Sequence, residues 1–226
     1  MTRHETSAAR ARRYPGRRRH EDRREAILEA ATDAFYRHGY NAASSRDIAR
    51  QAGITQATVY YHFKNKEEIL LTIITEFSDQ LFESLLAALA RDSDPVTRLR
   101  NAVTQHILFT KTHRRQVKII LEDKRSLGPE PNARVKEKEK SIFNLYRTYL
   151  KELQAAGIVR NADLIPMTFS MFGIINSLYH WYRTDKPLTI ERIAEEIADL
   201  LLNGLLCRPG VAEATRQEGG ERCCIH

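Results

Sequence analysis

NAASSRDIARQAGITQATVYYHFKNKEEIL, residues 41–70, holds three helix starts in thirty positions. Ser44, with Asp47 three residues on, fits a capping box, in which a side-chain oxygen and a carboxylate satisfy the free amides of a helix start. The helix they open is expected to run to about Ala52, and Gly53 makes the turn. Thr55 caps a second short helix that runs to about Phe63. Asn65 with Glu68 caps a third that begins near Lys66. Two short helices joined by a tight glycine turn form a helix-turn-helix. The second has the length to lie in a DNA major groove.

At about 100° per residue, Val59 and Phe63 share a face and are expected to pack on the first helix. Ala57 and Tyr61 point the other way, flanked by Thr58 and Tyr60, with Thr55 and Gln56 at the N-terminal end. This outward set carries no acid. Glutamine pairs bidentately with adenine, and threonine and alanine methyls touch the thymine methyl. Tyr60, Tyr61 and His62 can donate to phosphate, and Lys66 with the free amides of the third helix makes a phosphate site. Taken one at a time, these residues have ordinary readings: the aromatics as core, Lys66 and Arg46 as solvated surface cations. Their concentration in one three-helix unit beside a basic arm turns the reading toward nucleic acid.

The chain around this segment has 226 residues, 42% apolar and 29% charged. That is globular material with enough for a core, not the profile of a disordered chain. Three cysteines, two of them adjacent near the end, cannot build a disulfide framework. The first twenty residues are arginine-rich without an apolar run, unlike a signal peptide. Net charge is +7, and its location is informative. Residues 1–24 hold nine arginines against Glu5, Glu21 and Asp22, a net of +6, while the other 202 residues carry +1. A near-neutral body with a basic arm favours a polyanionic partner.

Residues 1–20 read as a disordered arm, with two readings open: Arg10, Arg12, Arg13, Arg17, Arg18 and Arg19 follow the DNA backbone or enter the minor groove, or the arm takes no part in binding. From Glu21, Ile27, Ala31, Ala34, Phe35 and His38 form one helical stripe, which Gly39 stops at a left-handed C′ position. Glu67 to Arg91 is one long amphipathic helix, stopped by Asp92-Ser93-Asp94-Pro95. Pro95 suits the first turn of the next, which runs to about Thr112. A further helix covers Arg114 to Lys124, and SLGPEPN (126–132) reads as a loop. Ala133 to Ala156, ended by Gly157, has Ile142, Leu145, Tyr149, Leu150 and Leu153 on its apolar side. Leu164 to Arg183 and Ile190 to Leu206 complete an all-α reading, with no alternating strand pattern, and residues 208–226 read as a disordered tail. The expected domains are a helix-turn-helix unit at 21–68 and a ligand-binding and dimerisation domain at 69–207. Residues 164–182 carry no charge and have the length of a membrane span. Pro166, Thr168, Ser170, Asn176, Ser177 and His180 interrupt them, so they read as a buried or interface helix, and no membrane partner is expected.

From about Arg24 to Phe77 the chain resembles the N-terminal domain of the TetR/AcrR family of transcriptional regulators. AFYRHGY (34–40), SSRDIARQAGI (44–54) and TQATVYYHFKNKEEIL (55–70) carry the resemblance. It implies that Ser45 and Arg46 brace against the DNA backbone. It also implies that Thr55, Gln56, Ala57, Thr58, Tyr60, Tyr61 and His62 occupy recognition-helix contact positions and Lys66 a phosphate position. Val59 and Phe63 match core positions. The resemblance further implies a cytoplasmic, nucleoid-associated homodimer on a palindromic operator of double-stranded DNA, joined through its last two long helices. Ile193, Ile197, Leu200, Leu201 and Gly204 give the last helix a matching apolar stripe. Family members typically repress, and release DNA when a small molecule binds; the helix from Glu67 to Arg91 is the expected lever.

His106, Phe109, Phe143, Tyr146, Phe169, Phe172, Asn176 and Tyr179 are the candidate effector-site residues, suggesting an elongated apolar cavity with a few polar groups. SLYHWYRTDKPLT (177–189) is similar to the ending of family members that sense acyl-CoA esters, and Arg114, Arg115, Lys118 and Arg147 could hold the CoA head. A generic hydrophobic drug or metabolite is the competing effector. No hydrolase, zinc-protease, P-loop or dinucleotide motif is present, so no catalytic residue, resident cofactor or metal site is expected. Cys207 reads as inert, and Cys223-Cys224-Ile225-His226 makes a poor zinc site and a loose prenylation match. The alternatives are a ligand-independent architectural or cell-division DNA-binding protein of the same fold, and a helical lipid- or CoA-binding protein without DNA binding. The acid-free recognition helix and the arm argue against the last.

Overall fold

The computed structural model describes residues 15–182 and 187–206, and within them every regular element is a helix. The helices are α1 (Pro15–Ala42), α2 (Ser45–Gln51), α3 (Gln56–His62), α4 (Lys66–Leu89), α5 (Pro95–Thr112), α6 (Arg114–Asp123), α7 (Pro129–Ala155), α8 (Leu164–Trp181) and α9 (Ile190–Leu205), with a 3-10 turn, Lys124–Ser126, before α7. An isolated antiparallel bridge joins Val159 to Leu206. The all-α expectation stands.

Sequence signals at the ends account for most boundaries. Asp94 accepts the Thr97 amide at 2.7 Å where α5 begins, with Pro95 in the first turn. Thr189 caps α9 through the Arg192 amide. Gly157, at φ 73°, follows the end of α7.

Three segments differ from expectation. Pro15–His20, read as part of a disordered arm, are the first turns of α1. Arginine is a good helix former, and proline at the first helical position loses only an amide that has no partner there. Arg10, Arg12 and Arg13 lie outside the described residues. The second difference is Gly39, which has φ 77° and ψ 159°. That is not the left-handed C′ conformation but the extended positive-φ region that is essentially confined to glycine. The chain breaks there and makes one more turn to Ala42. The third is SLGPEPN: Lys124–Ser126 is a 3-10 turn and Pro129 opens α7, so only Leu127 and Gly128 remain between helices. Pro129 and Pro131 fall within the first turn, where proline is tolerated.

Two compact units divide the chain: residues 15–75 with Lys118–Ala133, and Glu76–Val117 with residues 134–206. In the first, Ile27, Phe35, Ile48, Val59, Phe63 and Ile69 are buried. The unit runs on into α4 and takes in the end of α6 and the start of α7. Polar contacts tie that segment in. The Lys118 ammonium donates to the Tyr36 carbonyl at 2.7 Å, and the Gly128 amide donates to Glu67 Oε1 at 2.6 Å.

In the second unit, α5 supplies Leu99, Val103 and Ile107 to the core and packs on α9. Here the expected dimer stripe divides. Ile193, Ile197 and Leu201 are buried against the unit's own core, whereas Leu200 is 64% exposed and Gly204 also faces out. A helix stripe reads the same in sequence whichever partner covers it, and α5 covers this one. The larger exposed apolar groups are on α8: Ile165, Phe169 and Trp181. The tail from residue 207, with its three cysteines, lies outside the described residues.

Candidate nucleic-acid interface and effector cleft

Local caps fix α2 and α3. The Asp47 amide donates to Ser44 Oγ at 3.1 Å, and the Ser44 hydroxyl donates to the Asp47 carboxylate at 2.5 Å. The Ser44 hydrogen bond, ahead of the Arg50 and Arg46 charges, holds Asp47 below the usual carboxylate range. At α3, the Thr58 amide donates to Thr55 Oγ1 at 3.2 Å and the two threonine hydroxyls bond at 2.9 Å. Gly53, at φ 66°, supplies the turn between them.

Val59 and Phe63 point inward, 1% and 3% exposed. Tyr61 is 77% exposed, Tyr60 48%, and Gln56 and Ala57 are exposed. Tyr60 links the two helices: hydrogen bonds from Ser45 and then Gln56 hold its phenol below the ordinary value. Arg46 is exposed and Ser45 half-buried.

Lys66 is placed differently from the sequence reading. Its ammonium donates to the carbonyls of Tyr40 at 2.7 Å and Ala43 at 2.9 Å, and stands 4.2 Å from the Tyr40 ring centre. It satisfies carbonyls that the end of α1 leaves without helical partners. Burial lowers its pKa. The Tyr40 amide, freed by the break at Gly39, donates to Asp123 Oδ1 at 3.1 Å, and burial raises the Asp123 carboxyl. A phosphate at the start of α4 would therefore meet the backbone amides before it meets the Lys66 charge.

His62 is half-buried against His20, with ring centres 4.3 Å apart, and Arg24 stands 5.6 Å from the centre of the Phe63 ring. Sequence reasoning missed His20 because it began the ordered chain at Glu21, and it passed over Arg24 inside that helix. The signal was present: His20, Arg24, Ile27 and Ala31 continue one helical stripe backward.

The eight candidate effector residues separate into three groups. His106, Phe143, Tyr146, Phe169 and Phe172 pack on one another, with ring centres 4.8–6.2 Å apart, and Phe169 is 63% exposed. Within this group the Tyr146 hydroxyl donates to the Ala102 carbonyl at 3.1 Å and meets His106 Nδ1 at 3.3 Å. Burial pushes His106 down to about 4 and Tyr146 up. Phe109 stacks on His113 at 4.0 Å and meets Phe77. Asn176 and Tyr179 alone line a cleft, with Ile107, Thr110, Lys111, Arg114, Ile175 and Tyr182 among its other walls. The cleft holds about 60 Å³, small beside the roughly 300–1,000 Å³ of ordinary ligand pockets. Of the expected CoA-head cations, Arg114 is at the cleft and donates to the Tyr182 carbonyl at 3.1 Å. Lys118 is engaged at Tyr36, and Arg147 is exposed on α7.

Among the described residues, no group of three His, Cys, Asp or Glu could hold a metal ion, and no helix is long and apolar enough to cross a membrane.

Two family models match the chain. One, described as bacterial regulatory proteins of the tetR family, covers residues 27–73; the other, a tetracyclin repressor-like C-terminal domain, covers residues 92–205. The chain is 26% identical to the transcriptional repressor KstR2 of Mycobacterium tuberculosis, over 81% of this chain and 92% of that one. It is 25% identical to the fatty acid metabolism regulator protein of Bacillus subtilis, over 79% and 93%. A solved structure, AibR in complex with isovaleryl coenzyme A and operator DNA, superposes with a TM-score of 0.70 at 30% identity, covering 81% of this chain and 98% of that one.

Proposed function

Because the chain belongs to the TetR family of transcriptional regulators, we propose that it is a ligand-responsive repressor, cytoplasmic and nucleoid-associated, whose homodimer binds a palindromic operator. A small hydrophobic or acyl-CoA-type effector releases it. The observation that carries the DNA-binding part is the outer face of α3. Gln56, Ala57, Tyr60 and Tyr61 are exposed there without an acid among them, on a helix capped by Thr55 and anchored from beneath by the buried Val59 and Phe63. Gln56 reads a base edge, and Tyr61, Arg46 and the amides at the start of α4 hold phosphates.

Two observations support the dimer: the exposed Ile165, Phe169 and Trp181 of α8, and Leu200 of α9. The cleft, apolar with Lys111 and Arg114 at its wall, supports an effector with an apolar body and an anionic group. The likeness to AibR, solved with isovaleryl coenzyme A, points the same way. α4, α6 and α7 each contribute residues to both compact units, and we assign them the coupling. An effector that prefers one arrangement of these helices shifts the dimer away from the spacing that fits DNA.

The small volume of the cleft favours a second reading, an architectural protein that binds DNA without an effector. Fluorescence anisotropy on the DNA upstream of its own gene, titrated with acyl-CoA esters and the matching free acids, separates the two. Release at micromolar ester with weak binding to scrambled DNA is the expected result. Specific binding that no compound reverses removes the effector. Equal binding to scrambled DNA at physiological salt leaves the architectural protein.

A further inference from the structure

The C-terminal end of α3 is a place where an anion should be unwelcome, because the unpaired carbonyls of a helix end carry partial negative charge. The surroundings reverse that sign. His20, on α1, lies against His62 with ring centres 4.3 Å apart and against Tyr61 at 5.9 Å, and Tyr61 meets His62 edge-on at 5.3 Å. His62 Nδ1 is buried and has no hydrogen-bond partner among the described residues. Besides His20, the groups whose charge acts on His62 are Arg23 and Arg24, both cationic and both on α1. The carboxylates of the same stretch, Glu21, Asp22 and Glu25, are solvent-exposed. Cationic and donor groups converge on a single end of the recognition helix, beside a tyrosine that is 77% exposed.

We infer that His20 and His62, flanked by Arg23, form a proton-dependent site for a DNA backbone phosphate. The inference rests on the DNA-binding reading above and adds to it a residue, His20, outside the helix-turn-helix segment. Free of DNA, His62 is held below its ordinary value by burial first and then by the neighbouring cations. A phosphate seated beside the pair offsets both, so binding takes up a proton. Affinity is then lowest at alkaline pH. It climbs as pH falls through the value of the bound state, and levels off below that of the free state. The first turns of α1, back to Pro15, are what place His20 beside His62.

The test is fluorescence anisotropy of the full chain on a mixed-sequence duplex of about 30 base pairs, from about pH 8 to pH 5.5 at several salt concentrations. A phosphate contact is independent of sequence, so no operator is required. Wild type should bind more tightly as pH falls, by up to about tenfold per pH unit for each proton taken up, with a salt slope that steepens by about one. His20→Phe keeps the ring packing and should lose at least half of the pH response. His20→Arg keeps a cation at that position and should bind more tightly than wild type at pH 8, with only the His62 share of the pH response remaining. Circular dichroism at each pH confirms that the variants are folded. A wild type without pH response, or a His20→Phe response equal to that of wild type, overturns the phosphate site. A wild type that binds no duplex at any pH overturns the DNA-binding reading, and this inference with it.

Discussion

Polar side chains are used differently in the two compact units. Around α2 and α3 nearly all of them are held in place: Ser44 and Asp47 cap α2, Thr55 and Thr58 cap α3, Ser45 and Gln56 meet Tyr60, and Lys66 holds the carbonyls of Tyr40 and Ala43. Around the cleft the walls are mainly apolar, with Lys111, Arg114, Asn176 and Tyr179 supplying the polar groups and only about 60 Å³ enclosed. The first arrangement suits a surface that must meet a fixed pattern of bases with its side chains already ordered. The second suits a site whose partner reshapes it on arrival. On the proposed function, one unit keeps a geometry and the other changes one.

The sharpest way to break this contrast is to loosen the ordered unit from inside. Phe63→Ala removes a side chain that is 3% exposed beneath the recognition helix, and should cost about 3–5 kcal/mol in chemical denaturation, with DNA binding lost alongside. A cost below about 1 kcal/mol would mean that the capped surface does not depend on the core beneath it.

The next effect concerns the other unit. His106 is buried with its pKa lowered to about 4, so as pH falls the unfolded chain takes up its proton before the folded one does. Stability from this group is therefore complete above the ordinary histidine value and is lost as pH falls from about 6.5 to about 4, by roughly 3 kcal/mol. Urea denaturation at a series of pH values should show that loss, and His106→Gln should flatten it. An unchanged pH dependence in the variant would remove His106 from the account.

The smallest effect sharpens the contrast at the contact face. Gln56→Ala should relax preference at one base pair by about 1–3 kcal/mol, whereas Tyr61→Phe should weaken binding to all sequences alike. Binding competition against a panel of single-base operator variants reads both. Unaltered preference in the Gln56 variant would take that side chain out of base readout.

What the sequence made legible follows the same division. The caps at Ser44, Thr55 and Asn65 act over three residues or so, and each is where the chain predicts it. The inward pair Val59 and Phe63 was legible for the same reason. The candidate effector residues were not, because aromatics spread over three helices can stack on each other or line a cleft, and only tertiary packing decides. His106 and Phe172 met edge to face, while Asn176 and Tyr179 lined the cleft. Nor does anything local announce that Lys118 reaches the Tyr36 carbonyl 82 positions away. The start of α1 was missed although its stripe was visible, since the density of arginine spoke for an arm.

The break in α1 bears on how this chain can drift. Every single-nucleotide missense change in a glycine codon brings in a side chain with a Cβ atom. At position 39 that atom has room, its nearest neighbour being Asp123 Oδ1 at 3.8 Å, but φ of +77° and ψ of 159° leave it no relaxed backbone. Chemical similarity therefore counts for nothing there. Alanine, serine and aspartate should be depleted alike in a population of variants, while the exposed His38 beside it accepts exchange. A lineage that carries this kink inherits it without a neighbouring step to try.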